Sequence, residues 1–249
     1  MICMDTVHER IEIEAMGAYV ARPAEPGDHP GVIVGSEMFG VTGYIRRTTD
    51  RIAALGYTAI APDFYHRTAP GFEGQATPEG RARGFELLQR LDREEVLADV
   101  RAAMAYLRYE AHTGGRMGMA GFSLGGHLAF FAATQLHLAA IAVVYPGWLV
   151  TEGTALGRTG PVLDLATGIS KRGGRLLYLS GADDHVITPD ETRLVAERLT
   201  SAGVSYEMVI YPGTPHGFLA DERDTFRPAI AEDAWRRIAE LFGTELRQA

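Results

Sequence analysis

Short, almost wholly apolar runs recur along this chain, separated by longer segments whose apolar positions fall three and four apart. Gly31–Gly35, Tyr57–Ala61, Ala139–Tyr145, Arg175–Ser180 and Tyr206–Tyr211 are too short for helices and read as strands. Val7–Ile13 alternates like an exposed strand, and Gly17–Ala21 follows as its hairpin partner. Pro23–Pro30 is a turn-rich connection. Helical spacing appears over Tyr44–Leu55, in two stretches of Pro78–Tyr109 broken near Asp92, over Asp190–Ala202, and in an amphipathic terminal Ala231–Phe242. Strands alternating with helices predict an α/β fold, a largely parallel sheet with helices on both faces. Ligands on such sheets sit at the carboxyl ends of the strands. Trp148–Arg172 is a long, glycine-containing connection that reads equally as a partial cover over that edge or as a surface loop.

Composition narrows the class. The 249 residues suffice for one large core, and no repeat or low-complexity linker divides them, so residues 1–249 are expected to form a single domain. A formal net charge of −8 argues against nucleic acid or an anionic membrane as partner. Cys3 is the single cysteine, which excludes an intramolecular disulfide and suggests a reducing compartment. The first ten residues carry no basic region ahead of an apolar core, and no apolar run reaches membrane-spanning length. A cytoplasmic location is the expectation, with homo-oligomerisation left open.

The chemistry concentrates at Arg116–Gly126, where an apolar run enters Gly121-Phe-Ser123-Leu-Gly125-Gly126 and is followed by the apolar His127–Ala133. This is G-x-S-x-G with Ser123 at its centre. A nucleophilic hydroxyl standing on a sharp strand-to-helix turn tolerates little bulk two residues either side, and the glycines supply that room. The following helix directs free amides and its positive dipole end at the site where negative charge would develop. Its first amide, that of Leu124, is a candidate oxyanion donor. A hydroxyl is a weak nucleophile, so it needs a base, and the base needs an orienting carboxylate. The two later strands run into Gly181-Ala-Asp183-Asp184-His185 and Pro212-Gly-Thr-Pro-His216-Gly-Phe218, which carry both residue types in the order Ser, Asp, His.

Other residues have plainer readings. His185 reads as a loop residue and His127 as a packed or surface histidine, while Asp164 precedes its strand, at the wrong end for a triad acid. Tyr65 and Trp148 are candidates to line the pocket, as well as ordinary core aromatics. No G-x-G-x-x-G occurs, and His127 stands where a P-loop would need Lys. The histidines show no metal-ligand spacing, so no metal is expected.

Five motifs together resemble the dienelactone hydrolase family of α/β-hydrolases. They are Ser36-Glu37-Met38-Phe39-Gly40, Ala61-Pro62-Asp63-Phe64-Tyr65, Gly121-Phe-Ser-Leu-Gly-Gly126, Gly181-Ala-Asp-Asp184-His185 and Pro215-His216-Gly-Phe218. The resemblance spans nearly the whole chain. It implies an eight-stranded sheet, no cofactor, Asp184 rather than Asp183 as triad acid, His216 as base, and the Met38 amide as second oxyanion donor. It also implies that Glu37 contacts the nucleophile and an arginine. Arg81 is the candidate for that arginine and for a substrate carboxylate, with Arg83 its rival by composition. Two departures stand out: Ser123 replaces the Cys of the best-known members, and Ala220 occupies the position of their second arginine, four residues after the His. The expected function is hydrolysis of small carboxylic esters or lactones. The alternatives are a general carboxylesterase or thioesterase without lactone preference, and a non-catalytic small-molecule-binding protein.

Overall fold

The computed structural model describes residues 4–109, 111 and 113–247, so Cys3 lies outside the described residues. Eight strands form one sheet: β1 (Thr6–Ile13), β2 (Met16–Pro23), β3 (Gly31–Gly35), β4 (Thr58–Pro62), β5 (Gly118–Phe122), β6 (Ala140–Val144), β7 (Arg175–Gly181) and β8 (Ser205–Tyr211). Their spatial order is β1-β2-β4-β3-β5-β6-β7-β8. β2 runs antiparallel to β1 and β4, and all the other pairings are parallel. From β3 the chain steps outward to β4, then crosses back to β5 on the other side of β3. The loops after β3 and β5 therefore diverge, which opens a crevice at the carboxyl edge.

The apolar runs are explained by burial on both faces. In β3, Val32 and Val34 enter the core beneath α1 (Gly43–Ala54) and α7 (Pro228–Leu246), whereas Ile33 enters the opposite core. That second core lies beneath α2 (Pro78–Leu88), α3 (Arg93–Tyr109), α4 (Leu124–Gln135), α5 (Thr167–Arg172) and α6 (Pro189–Ser201). Local chemistry sets several helix starts. Thr77 caps α2 ahead of Pro78, and Thr188 and Glu191 form a reciprocal capping box at α6. α2 and α3 part at Leu88 and Arg93, matching the expected break near Asp92.

Two expectations change. Between residues 148 and 172 the chain is neither a free loop nor wholly irregular. It forms two 3-10 turns and α5, and buries Leu149, Leu156, Val162, Leu163, Ala166 and Ile169. These apolar residues lack a regular period because they pack from short turns, so periodicity does not find them. α7 extends beyond Ala231–Phe242 at both ends: Pro228 fits its first turn, and Leu246 packs beneath Gly118 of β5. No helix among the described residues is long and apolar enough to cross a membrane.

Candidate active site

Ser123 joins β5 to α4 with φ +54 and ψ −114, a conformation costly for a residue with a side chain. The strain persists because the backbones around it touch. A Cβ on Gly121 would lie 1.9 Å from the Gly125 carbonyl oxygen, and a Cβ on Gly125 would lie 2.0 Å from that of Gly35. The end of β3, the end of β5 and the start of α4 thus meet at glycines. The same contact brings the loop carrying Glu37 and Met38 beside the elbow. The Ser123 amide donates to Val144 on β6 at 3.0 Å, fixing the turn from the other side.

The structure brings Ser123, His216 and Asp184 into one hydrogen-bonded line. His216 Nε2 lies 3.0 Å from Ser123 Oγ, and its Nδ1 lies 2.8 Å from Asp184 Oδ2. The other carboxylate oxygen, Asp184 Oδ1, accepts the amides of Val186 at 2.8 Å and Ile187 at 3.2 Å. Asp184 is buried, while Asp183 points to solvent. The tautomer follows: a carboxylate can only accept, so Nδ1 carries the proton and Nε2 is free to take one from the serine. Tyr145, directly after β6, packs its ring 5.0 Å from the His216 ring. The exposed His185 meets His216 edge-on at 5.7 Å.

Of the two candidate oxyanion donors, Leu124 is the first residue of α4, so its amide is free of an intrahelical carbonyl. Met38 follows β3, and its carbonyl accepts from the Tyr65 hydroxyl at 3.2 Å. Tyr65 is therefore not an open wall of the site. It is buried under the loop, where it braces Met38. Trp148 is part-buried, has φ +63, and tilts against the exposed Phe85 at 6.4 Å. Phe85 follows Gly84, whose missing Cβ makes room for the Met38 carbonyl. Trp148 and Phe85 thus stand as an apolar pair beside the loop that carries Met38.

Glu37 corrects the sequence reading. Its carboxylate is buried and held by both arms of Arg223, one at 3.0 Å, and not by Arg81 or Arg83. Arg81 sits exposed on α2, and Arg83 pairs with Glu86. Arg223 also lies 5.0 Å over the Phe39 ring and 5.9 Å over the Tyr44 ring. Burial alone would lower the Arg223 pKa, but the Glu37 charge outweighs it and the net shift is upward. Tyr44 and Tyr145 pair their hydroxyls at 3.3 Å, and burial first, with Glu37 contributing, holds both phenols neutral. Sequence reading missed Arg223 and Tyr145; the only hint of Arg223 was its place shortly after His216. A cavity of about 330 Å³ near the β1–β2 hairpin, lined by residues including Arg10, Tyr19, Arg46 and Phe72, touches none of the triad. Among the described residues no group of three or more His, Cys, Asp or Glu side chains is placed to hold a metal ion.

A mostly parallel eight-stranded sheet with a strained serine elbow and Asp and His on later strand-end loops defines an α/β-hydrolase fold. Residues 16–246 match the sequence model of the "Dienelactone hydrolase family", and the chain belongs to that family of hydrolases. A Synechocystis protein named "Putative carboxymethylenebutenolidase" is 35% identical over 237 residues, covering 93% of each chain. A Pseudomonas putida "Carboxymethylenebutenolidase" is 36% identical over 120 residues, about half of each chain. The crystal structure of a "Putative Dienelactone Hydrolase" from Klebsiella pneumoniae superposes with TM-score 0.85 at 30% identity, covering 96% of this chain and 99% of that one.

Proposed function

We propose that this chain cleaves small carboxylic esters or lactones through an acyl-serine intermediate, with Ser123 as nucleophile, His216 as base and Asp184 as orienting acid. The carrying observation is the unbroken line from Ser123 Oγ to His216 to Asp184, at 3.0 and 2.8 Å, on a strained elbow. Ser123 attacks the ester carbonyl while His216 Nε2 takes its proton. The amides of Leu124 and Met38 receive the oxyanion. His216 returns the proton to the leaving oxygen, and water then repeats the cycle on the acyl-enzyme. In a lactone, the leaving oxygen stays tethered to the acyl group until water releases the hydroxy acid.

Glu37 fits this chemistry because it is neutralised. A bare carboxylate beside the oxyanion hole would oppose the charge forming there, and the two-armed contact with Arg223 removes that opposition. The same contact favours a second reading of substrate preference. Arg223 is already occupied, Ala220 carries no charge and Arg81 is exposed, so neutral open-chain esters suit the site at least as well as anionic lactones. Intact-mass detection of a fluorophosphonate adduct tests the nucleophile without presupposing a substrate. One adduct on the wild type and none on Ser123→Ala is expected. No adduct on the folded wild type would overturn the hydrolase reading in favour of a binding protein. A matched screen of neutral and anionic esters then decides between the two preferences.

A further inference from the structure

After β6 the chain makes an unusual bend, Tyr145-Pro146-Gly147-Trp148, with φ +38 at Tyr145 and +63 at Trp148. Left-handed backbone at non-glycine residues is costly and persists only where the surroundings impose it. At the Tyr145 end those surroundings are plain: its amide donates to Leu179 at 2.6 Å, and its ring packs between His216 and Phe218. At the Trp148 end the holding group comes from elsewhere. His127 Nδ1 lies 3.1 Å from the Gly147 carbonyl oxygen.

His127 sits on α4 one turn beyond the nucleophile, and its amide donates to the Ser123 carbonyl. His127 is 1% exposed, and its Nε2 has no partner among the described residues. Burial pushes its pKa down to about 4, so the ring is neutral and carries one proton. A carbonyl can only accept, which places that proton on Nδ1. The proposed chemistry uses neither nitrogen.

The geometry points to His127 as a positioning residue: by donating from Nδ1 to Gly147 it fixes the bend that holds Trp148 against Phe85 as an apolar shelf beside the loop that carries Met38. It therefore governs the fit of the substrate's apolar group and not bond making. The claim rests on the hydrolase reading for its kinetic part only.

The test compares His127→Asn, His127→Gln and His127→Leu. The Asn amide nitrogen falls where Nδ1 lies and can donate to Gly147, the Gln amide falls nearer Nε2, and Leu fills the space without a donor. With 4-nitrophenyl butyrate, Leu and Gln should raise KM by about tenfold with kcat within about threefold, and Asn should stay within about twofold of wild type. Trp148→Ala should give the same rise, and adding His127→Leu to it should add little, as expected of residues acting through one contact. Fluorine NMR of 5-fluorotryptophan protein supplies a readout that needs no turnover. The resonance missing in Trp148→Phe should move in the Leu and Gln variants and stay in place in Asn. Equal behaviour of all three variants, an unmoved Trp148 resonance, or a fall in kcat at constant KM would overturn the assignment. If no fluorophosphonate adduct forms on the wild type, the hydrolase reading fails while the NMR comparison still decides the role of His127. Should the Leu variant not fold, the Gln and Asn pair carries the same decision.

Discussion

The two oxygens of Asp184 have separate tasks: one accepts two backbone amides, the other faces His216. Asp184→Asn should keep the first set of contacts, because its carbonyl oxygen can still accept them. Its NH2 would then face His216 Nδ1 and force that nitrogen to accept. The proton would move to Nε2, where it cannot receive another from Ser123. The expected result is a loss of about 10³–10⁴ in kcat on an activated ester with an unchanged circular dichroism spectrum. A second prediction at this scale concerns His127, whose burial lowers its pKa from the ordinary 6.5 to about 4. The unfolded chain binds this proton more readily than the folded one between those values. The neutral ring's full contribution is therefore present above about pH 6.5 and is lost as pH falls towards 4, by roughly 3 kcal/mol in total. Urea unfolding of wild type and His127→Asn from pH 7 to 4 should show the variant losing less stability over that window. Parallel loss in both would contradict it.

Among elements, the decisive contact is backbone against backbone where β3, β5 and α4 converge. Any side chain at Gly125 must push α4 away from β3, because its Cβ would stand 2.0 Å from the Gly35 oxygen. Gly125→Ala should cost about 1–3 kcal/mol and lower Tm by about 6 °C, read by calorimetry. Fluorophosphonate labelling should slow as well, since the same shift moves the Leu124 amide. The motif made the need for small residues legible, but not their partner. Gly35 lies 90 positions before Gly125, and only the parallel pairing of β3 with β5 brings them together. The segment 148–172 was illegible for another reason. Its buried residues come from short turns with no period of two or of 3.6, and they find their core only once α4 and α6 are in place.

Across the whole molecule, the Glu37–Arg223 pair ties the loop after β3 to the segment beyond His216, 186 residues away. Both groups are largely withdrawn from water, so removing one strands the other. Arg223→Met should destabilise by about 3–5 kcal/mol, whereas Glu37→Gln combined with Arg223→Met should recover most of that loss. A double-mutant cycle by chemical denaturation measures it. A simple sum of the two single effects would mean that the pair does not couple. The resemblance anticipated that Glu37 would have a guanidinium partner. Arg81 was chosen from its place before Gly84–Leu91, but that position lies exposed on α2, and which arginine reaches Glu37 depends on tertiary contacts that sequence spacing does not carry.

The sequence by itself determined the strand and helix alternation, the G-x-S-x-G turn, and the chain order Ser, Asp, His, because each is written in local pattern: hydrophobic period, glycine placement and residue type at a strand end. The choice of Asp184 over Asp183 came from the family resemblance. The tertiary structure alone decided which arginine neutralises Glu37, that Tyr65 braces Met38 from below, and that His127 reaches the bend at Gly147. Those are contacts between segments far apart in sequence. Their partners are selected by sheet order and by the direction each side chain takes from its element, and neither is encoded in any local run of residues.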